Sequence, residues 1–180
     1  MRITGGELNR RRIACPPGSI RPAMDRMRES LFAVLGPSLS GAAFLDLFSG
    51  SGIVGLEAAS RGASPVVMVE KDAAKKFVLR ENAALAHGAR TRIMPVERYI
   101  KFAQDGPFDI VFLDPPFAYR FKAQLLEMLA SSPLLAGSAL VLMHHPAQDT
   151  LPEKAGALVR SEVRVYGRSH VSFYRKTAPV

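Results

Sequence analysis

From residue 43 onward, short apolar runs alternate with longer segments in which apolar residues recur at helical spacing. The apolar runs are Ala43–Phe48, Val66–Val69, Arg92–Val96, Phe108–Leu113 and Leu140–Met143, and the helical segments between them are Ile53–Arg61, Ala73–His87, Glu97–Ala103 and Phe121–Leu129. Strands that alternate with helices of this length form right-handed βαβ units, whose strands are parallel. The sequence therefore predicts an α/β fold with a mainly parallel sheet and helices on both faces.

The C-terminal part of the chain departs from this alternation. Val159–Tyr166 and His170–Arg175 are two runs of alternating character, separated by Gly167 and two polar residues. Two such runs with a short turn between them predict an antiparallel β-hairpin. With the five parallel strands, the hairpin brings the predicted sheet to seven strands.

The N-terminal part precedes the first βα unit and carries its own pattern. Arg2–Thr4 and Arg12–Cys15 are predicted to be the two extended pieces of a basic β-arm. Asp25 is then placed to cap the first helix. We expect a single domain over 1–180, with the arm at 1–23 and a core at 24–180.

Basic residues are concentrated at the two ends of the chain, whose formal net charge is +8. Residues 1–28 carry seven arginines against two acids, and residues 160–180 carry five cations against one, which leaves the middle at −1. A near-neutral body with basic ends is typical of proteins that bind a polyanion, and the guanidinium fork matches phosphate geometry. A solvated surface that only aids solubility is the alternative interpretation.

Composition excludes several classes of protein. With 48% hydrophobic and 22% charged residues, the chain has the composition of a globular domain rather than of a disordered one. No apolar run approaches the roughly 18 residues that cross a bilayer, and the N-terminus has no apolar stretch of the signal-peptide type. The single cysteine, Cys15, excludes a disulfide framework and a cysteine-based zinc site. We therefore expect a cytoplasmic protein without membrane contact.

A glycine-rich turn follows the first parallel strand. Gly50, Gly52 and Gly55 satisfy the G-x-G-x-x-G pattern of dinucleotide-binding proteins. Asp46 opposes that interpretation, because a carboxylate at the strand end would repel a pyrophosphate. It suits instead the ammonium and sulfonium groups of S-adenosylmethionine, while a tight turn without a ligand is the third interpretation. Glu70, at the end of the next strand, is placed to accept hydrogen bonds from ribose hydroxyls. Because NAD and S-adenosylmethionine both contain a ribose, Glu70 is compatible with either cofactor.

A rigid turn, Asp114-Pro115-Pro116-Phe117, follows the strand Phe108–Leu113. The two prolines fix φ and remove two backbone donors, so the turn is rich in acceptors. The Asp114 carboxylate and the Pro115 carbonyl could hold the hydrogens of an exocyclic base amine while Phe117 stacks on the base. The alternative is a purely structural turn. The Asp-Pro-Pro-Phe turn lies at the carboxyl edge of a parallel sheet, where ligands bind in open α/β folds. This position favours the interpretation that the turn binds a base.

Together these motifs resemble the class I, S-adenosylmethionine-dependent methyltransferases, which have a Rossmann-like core. The resemblance is narrower to the bacterial enzymes that methylate guanine N2 in small-subunit (16S) ribosomal RNA. The segments that carry it are Arg2 to Gly6, Arg21-Pro22, Asp25 to Glu29, Leu45 to Gly62, Val69 to Asp72, Asp114 to Phe117 and Tyr166 to Tyr174. It implies a monomeric enzyme of ribosomal RNA, free or in the small subunit, that uses S-adenosylmethionine and no metal.

The resemblance also implies a set of site residues. The catalytic residues are Asp114, Pro115 and Phe117; the cofactor-binding residues are Asp46, Phe48, Ser49, Gly50, Gly52, Glu70, Lys71 and Glu97; the residues that bind substrate RNA are Arg10, Arg11, Arg12 and Arg21. The acidic or amide residue that the family often has after its third strand is replaced here by Val96, so Glu97, one position later, is the candidate for the adenine contact. His144-His145 has no acid or cysteine at ligand spacing, so we interpret the pair as polar strand-end residues rather than a metal site.

Two other functions remain open from the sequence. DNA adenine-N6 and cytosine-N4 methylases share the Asp-Pro-Pro-Phe turn, but 180 residues leave no room for a separate target-recognition domain. A non-catalytic nucleic-acid-binding module on the same fold is the other alternative. The intact Asp46, Glu70 and Asp114 oppose it.

Removal of the charges of Arg10, Arg11 and Arg12 together should weaken RNA binding and flatten its salt dependence, because fewer counterions are released. The slope of log affinity against log salt should fall in magnitude by up to about 2 for three lost contacts to single-stranded RNA. Binding titrations at several salt concentrations measure the slope, and unchanged affinity for S-adenosylmethionine is the control. An unchanged slope would leave the arm with a role in solubility only.

Overall fold

The computed structural model describes residues 1–15 and 22–177. The helices are α1 (Pro22–Leu35), α2 (Ile53–Ser60), α3 (Lys76–Ala83), α4 (Val96–Phe102) and α5 (Lys122–Ala130). The strands are β1 (Phe44–Leu47), β2 (Val66–Glu70), β3 (Ala89–Ile93), β4 (Phe108–Leu113), β5 (Leu135–Pro146), β6 (Lys154–Ala155), β7 (Leu158–Tyr166) and β8 (Ser169–Lys176). No helix in this described part of the chain is long and apolar enough to cross a membrane.

The strands form one sheet in the order β3-β2-β1-β4-β5-β8-β7-β6. The first five are parallel to one another, and β8, β7 and β6 follow as antiparallel strands. The predicted α/β fold, parallel sheet and C-terminal hairpin are therefore confirmed. The predicted count of seven strands is wrong, because β6 is an eighth strand. It has only two residues, too few to produce a recognisable alternating pattern.

Along the chain, β2 and β3 are added on one side of β1, and β4 and β5 are added on its other side. The strand order therefore has a switch point between β1 and β4. These two strands pair in parallel with Leu47 opposite Leu113, and the Asp114 amide donates to the Leu47 carbonyl at 3.2 Å. The turn that follows β1 and the turn that follows β4 are consequently neighbours. In open α/β sheets such a switch point forms a crevice at the carboxyl ends of the strands.

Some predicted bounds differ from the structure. The third strand begins at Ala89 rather than Arg92, because its polar residues pair with β2 at the sheet edge without forming an apolar run. Ala73–Lys75 is a 3₁₀ turn that precedes α3, and the Asp72 carboxylate accepts a hydrogen bond from its backbone. Asp25 lies inside the first turn of α1 and pairs with Arg28 at 2.8 Å, so it does not cap the helix.

Two apolar layers cover the sheet. Phe44 of β1 belongs to the layer formed with α1, α2 and α3, whereas Leu45 and Leu47 belong to the layer formed with α4 and α5. Because successive strand residues point to opposite faces, Asp46 lies on the α2 side of β1. All four residues of β1 are buried, so Asp46 is a carboxylate within the apolar interior.

The N-terminal arm is smaller than the predicted pair of extended pieces. Its ladder is an isolated antiparallel bridge between Arg2 and Arg12, supported by backbone hydrogen bonds between Ile3 and residues 10 and 11. Ile3 and Ile13 are buried in the apolar layer of α1 to α3, while the side chains of the described arm arginines, Arg2, Arg10, Arg11 and Arg12, are exposed. Apolar contacts thus anchor the arm and leave its cations in solvent.

A buried carboxylate on α2 ties the arm to the helices. Glu57 is fully buried and accepts a hydrogen bond from the Arg28 Nε at 2.9 Å and another bond from Arg61. The Thr4 amide and hydroxyl donate to the same carboxylate at 2.8 and 2.9 Å, and Arg28 also donates to the Arg2 carbonyl. This carboxylate therefore connects the arm, α1 and α2.

We expect Glu57→Gln to lower the free energy of unfolding by about 3 kcal/mol, because it leaves the buried Arg28 with only the half-exposed Asp25 as ionic partner and removes the ionic partner of Arg61. Thermal denaturation should show a Tm lower by about 6–12 °C for a chain of this size. The control is Glu153→Gln, which removes an exposed partner of Arg160 and should change stability by less than about 0.5 kcal/mol. Equal small effects of both substitutions would contradict the role assigned to Glu57.

Candidate active site at the carboxyl edge of the sheet

A cavity of about 740 Å³ opens at the switch point between β1 and β4. It is lined by most of the site residues predicted from the sequence: Asp46, Phe48, Ser49, Gly50, Glu70, Lys71, Asp114, Pro115 and Phe117. Gly52 and Glu97 are the two predicted cofactor residues that do not line it. The fold therefore brings the glycine turn, the end of β2 and the Asp-Pro-Pro-Phe turn around one space.

The three glycines of the turn have different structural roles. Gly52 has φ 81°, and a Cβ there would lie 2.8 Å from atoms of Leu79 and Met68. A Cβ on Gly55 would lie 2.6 Å from Met68. Gly50 has φ 54° and open space around its Cβ direction. Gly52 and Gly55 thus allow α2 to pack on β2, and Gly50 is the glycine that faces the cavity.

Glu70 holds the glycine turn in place. One of its carboxylate oxygens accepts a hydrogen bond from the Gly50 amide, and the other accepts one from the Asp72 amide, each at 2.9 Å. Its side chain is almost fully buried, with the Lys75 ammonium 3.8 Å away. Each carboxylate oxygen has a second lone pair, so Glu70 keeps acceptor capacity for a ligand hydroxyl.

Asp46 makes the cavity electrostatically unusual. Its carboxylate accepts a hydrogen bond from the Gly55 amide at 3.0 Å, and among the described residues it has no ion-pair partner. Burial raises the pKa of Asp46 well above its ordinary value; the Gly55 hydrogen bond opposes this rise, and the charges of Asp114 and Glu70 add to it. A cation in the cavity would relieve this arrangement, whereas a pyrophosphate would worsen it.

Ser49 adds a third polar group to those of Glu70 and Asp46. Its hydroxyl is buried and has no hydrogen-bond partner in the described part of the chain. Phe48, just before it, has φ 64°, which is unusual for a bulky residue and marks a strained backbone at the cavity wall. An unpaired buried hydroxyl is costly in the free protein, and a bound polar ligand would satisfy it.

The Asp-Pro-Pro-Phe turn is held by two residues that the sequence analysis did not assign to the site. His144, at the end of β5, contacts Asp114 through its Nδ1, and its ring packs edge-on against Phe117 at 5.5 Å between centroids. Lys122 is buried and donates to the carbonyls of Phe117 and Tyr119 at 3.1 and 2.6 Å. The sequence signal for His144 was its position directly after the predicted strand Leu140–Met143, which lies in β5 beside β4.

Glu97 lies outside the cavity lining, although it was predicted to contact the adenine. It accepts a hydrogen bond from the Tyr119 hydroxyl at 2.5 Å, and burial together with the Glu97 carboxylate raises the pKa of Tyr119. Tyr119 in turn packs against Phe48, with 5.5 Å between the centroids of the two rings. In this structure Glu97 therefore supports the cavity wall through Tyr119.

The arm residues lie at a second cavity of about 720 Å³. Arg10 and Arg12 line it, whereas Arg11 is exposed elsewhere on the arm, and Arg21 lies outside the described residues. Arg28 lines both cavities, so the basic arm adjoins the carboxylate-lined cavity. Within residues 1–15 and 22–177, no cluster of histidine, cysteine and acidic side chains could hold a metal ion.

Comparison with known proteins gives consistent matches over nearly the whole chain. The family described as conserved hypothetical protein 95 matches residues 1–175. The ribosomal RNA small subunit methyltransferase D of Escherichia coli K12 is 34% identical over 181 residues, which cover 99% of this chain and 91% of that protein. A solved hypothetical protein of Thermus thermophilus is 35% identical, with a TM-score of 0.82 over 96% of this chain and 98% of that one.

A more distant structure shares the fold alone. SMU.776, solved in complex with SAH, has a TM-score of 0.69 and 17% identity over 87% of this chain and 50% of its own. The Rossmann-like core is thus common to this chain and to a protein that holds SAH.

We expect Asp46→Asn to stabilise the ligand-free protein at neutral pH. The pKa of Asp46 is higher in the folded protein than in the unfolded chain. The free energy of unfolding therefore falls as the pH rises from the pKa of Asp46 in the unfolded chain through its pKa in the folded protein. Each pKa unit of elevation corresponds to about 1.4 kcal/mol, or about 3–6 °C in Tm for a chain of this size.

Thermal denaturation at pH 8 and at pH 4 measures this gain, which should shrink at the lower pH. The control is Asp109→Asn, an exposed carboxylate that also accepts a backbone N–H, from Ala43. A Tm of Asp46→Asn at or below that of the unchanged protein at pH 8 would show that the buried charge is already compensated.

Proposed function

The chain belongs to the family described as conserved hypothetical protein 95, and on that premise we propose that it methylates the exocyclic N2 amine of a guanine in small-subunit ribosomal RNA, with S-adenosylmethionine as methyl donor. One observation carries this proposal. Asp114, Pro115 and Phe117 border the same cavity as Asp46, whose carboxylate is buried and has a raised pKa. An acceptor pair for an amine therefore adjoins a pocket that suits a cation.

The residues around the cavity fit S-adenosylmethionine. Asp46 would balance the cationic methionine portion, Glu70 would accept the ribose hydroxyls, and the Ser49 hydroxyl would gain a partner. Phe48 and Lys71 line the same cavity and complete the proposed cofactor set with Gly50. Gly52 contributes through the packing of α2 on β2, which aims the start of the helix at the cavity.

The chemistry is a displacement at carbon. When bound, S-adenosylmethionine would supply the methyl group: the bond from methyl carbon to sulfur would break with its electron pair left on sulfur, as the amine nitrogen formed the new bond. Asp114 and the Pro115 carbonyl would accept hydrogen bonds from the amine hydrogens, which favours the pyramidal nitrogen that can attack. Asp114 also offers an acceptor for the proton that the nitrogen must lose. Most of the rate then comes from position and orientation.

The target base has to reach this cavity from a folded RNA. Chemistry on an exocyclic nitrogen requires an unpaired or splayed base, which Phe117 would stack. The exposed Arg10, Arg11 and Arg12 would hold phosphates, and Arg21 is proposed for the same role from the sequence. We propose that the protein acts as a monomer in the cytoplasm, on RNA that is free or within the small subunit.

Methyl transfer to RNA from cells that lack this gene is the direct test. The purified protein, S-adenosylmethionine and either 16S RNA or small subunits should yield one new N2-methylguanine, located by mass spectrometry of RNA fragments. Calorimetric titration should show binding of S-adenosylmethionine and none of NAD. Methylation of adenine N6 or cytosine N4 in DNA would support the methylase alternative, and cofactor binding without any transfer would support a non-catalytic module.

Asp114→Asn should lower single-turnover methyl transfer by roughly two to three orders of magnitude, as loss of one preorganised polar group at a charge-developing centre does. The substitution preserves shape but removes the charge and brings an amide donor towards the donor amine. Affinity for S-adenosylmethionine should change little, because the interaction is made mainly in the transition state.

The comparison variant is Phe117→Ala, which should weaken productive placement of the base and raise KM. Wild-type rates for Asp114→Asn would show that the Asp-Pro-Pro-Phe turn is structural.

A further inference from the structure

The strand register brings a histidine to the catalytic turn. Met143 of β5 pairs with Leu113 of β4, so the next residues of the two parallel strands, His144 and Asp114, are neighbours. The His144 Nδ1 lies 2.7 Å from an oxygen of the Asp114 carboxylate. His144 is 2% exposed, whereas the Asp114 side chain is 26% exposed, and Asp114 lines the cavity.

The other ring nitrogen determines which form of His144 fits this place. The Nε2 is buried and has no hydrogen-bond partner among the described residues. A doubly protonated ring would bury an N–H donor without an acceptor, which is costly. A neutral ring with its proton on Nδ1 donates to the carboxylate and leaves only an acceptor unpaired.

The contact controls how Asp114 presents its charge. A carboxylate at the end of a strand, with a quarter of its surface in solvent, can rotate about its terminal torsion. A buried donor on one oxygen removes that freedom, because His144 is itself enclosed at the end of β5 and packed against Phe117. The second carboxylate oxygen is then the one available to an amine in the cavity.

We propose that His144 is a positioning residue of the methyl transfer, which donates its Nδ1–H to one Asp114 oxygen and so aims the other at the target amine. This inference rests on the function proposed above. Loss of the donor should lower the single-turnover rate by about 10–100-fold, by analogy with the loss of a hydrogen-bond partner that orients a metal-binding side chain. The cofactor pocket should be unaffected.

Three substitutions at one position separate the donor from the volume of the ring. His144→Leu removes the donor, His144→Asn places an amide N–H near the Nδ1 position, and His144→Gln places it near the Nε2 position. We expect wild-type-like rates, within about threefold, for Asn only, and a loss of about 10–100-fold for Leu and Gln. Affinity for S-adenosylmethionine should stay the same in all three.

The adjacent histidine is the matched control. His145 is equally buried, but its ring nitrogens contact the Pro146 carbonyl and the Ser172 hydroxyl rather than Asp114. His145→Leu should therefore lower Tm without lowering the single-turnover rate at a temperature well below that Tm. A loss of rate equal to that of His144→Leu would overturn the proposal, because it would show a general requirement for packing at the end of β5.

The tautomer gives a readout that does not depend on activity. Nitrogen-15 NMR of the free protein should show His144 as the Nδ1–H form, because only that form donates to Asp114 without burying an unpaired N–H at Nε2. An Nε2–H tautomer in the unchanged protein, a wild-type rate for His144→Leu or a failed rescue by His144→Asn would each overturn the proposal. If the wild-type protein methylated no RNA, the proposed function would be overturned instead. The tautomer measurement would still test the contact between His144 and Asp114.

Discussion

Parallel pairing between β1 and β4 is the constraint on which the site depends. With Leu47 opposite Leu113, the glycine turn and the Asp-Pro-Pro-Phe turn leave the sheet side by side. The same edge receives Glu70 from β2 and His144 from β5. Four consecutive strands in the sheet thus each place one ionisable side chain at this edge. Asp46, Glu70 and Asp114 line the cavity and His144 contacts Asp114, although Asp46 and His144 are 98 positions apart in the chain.

Charge is divided between two neighbouring regions of the molecule. The cavity collects the carboxylates of Asp46, Glu70 and Asp114, which suits a cationic cofactor, while the arm exposes arginines, which suit a polyanion. Arg28 lies between them, because it lines both cavities and pairs with the buried Glu57. The contacts that stabilise the arm are therefore continuous with the wall of the cavity, so the proposed RNA-binding residues and the proposed reaction centre share a structural connection.

Strong local patterns explain what could be predicted. The α/β class and the C-terminal hairpin follow from hydrophobic periodicity, which depends only on neighbouring residues. The roles of Asp46 and Asp114 were proposed from their positions at strand ends, and both line the cavity. Patterns that are short or polar failed. The two residues of β6 have no periodicity, and the polar edge strand β3 has no apolar run to mark where it begins.

By itself the sequence determined the alternation of parallel strands and helices, the glycine-rich turn, the rigid Asp-Pro-Pro-Phe turn and the segregation of basic residues, because these depend on local propensity and composition. Only the tertiary structure decided which side chains meet. It placed His144 against Asp114, turned Glu97 towards Tyr119 and assigned Gly52 to helix packing rather than to the cavity wall. These outcomes depend on strand register and on the packing of segments that are distant in sequence. No local pattern around either residue indicates that the two will be in contact.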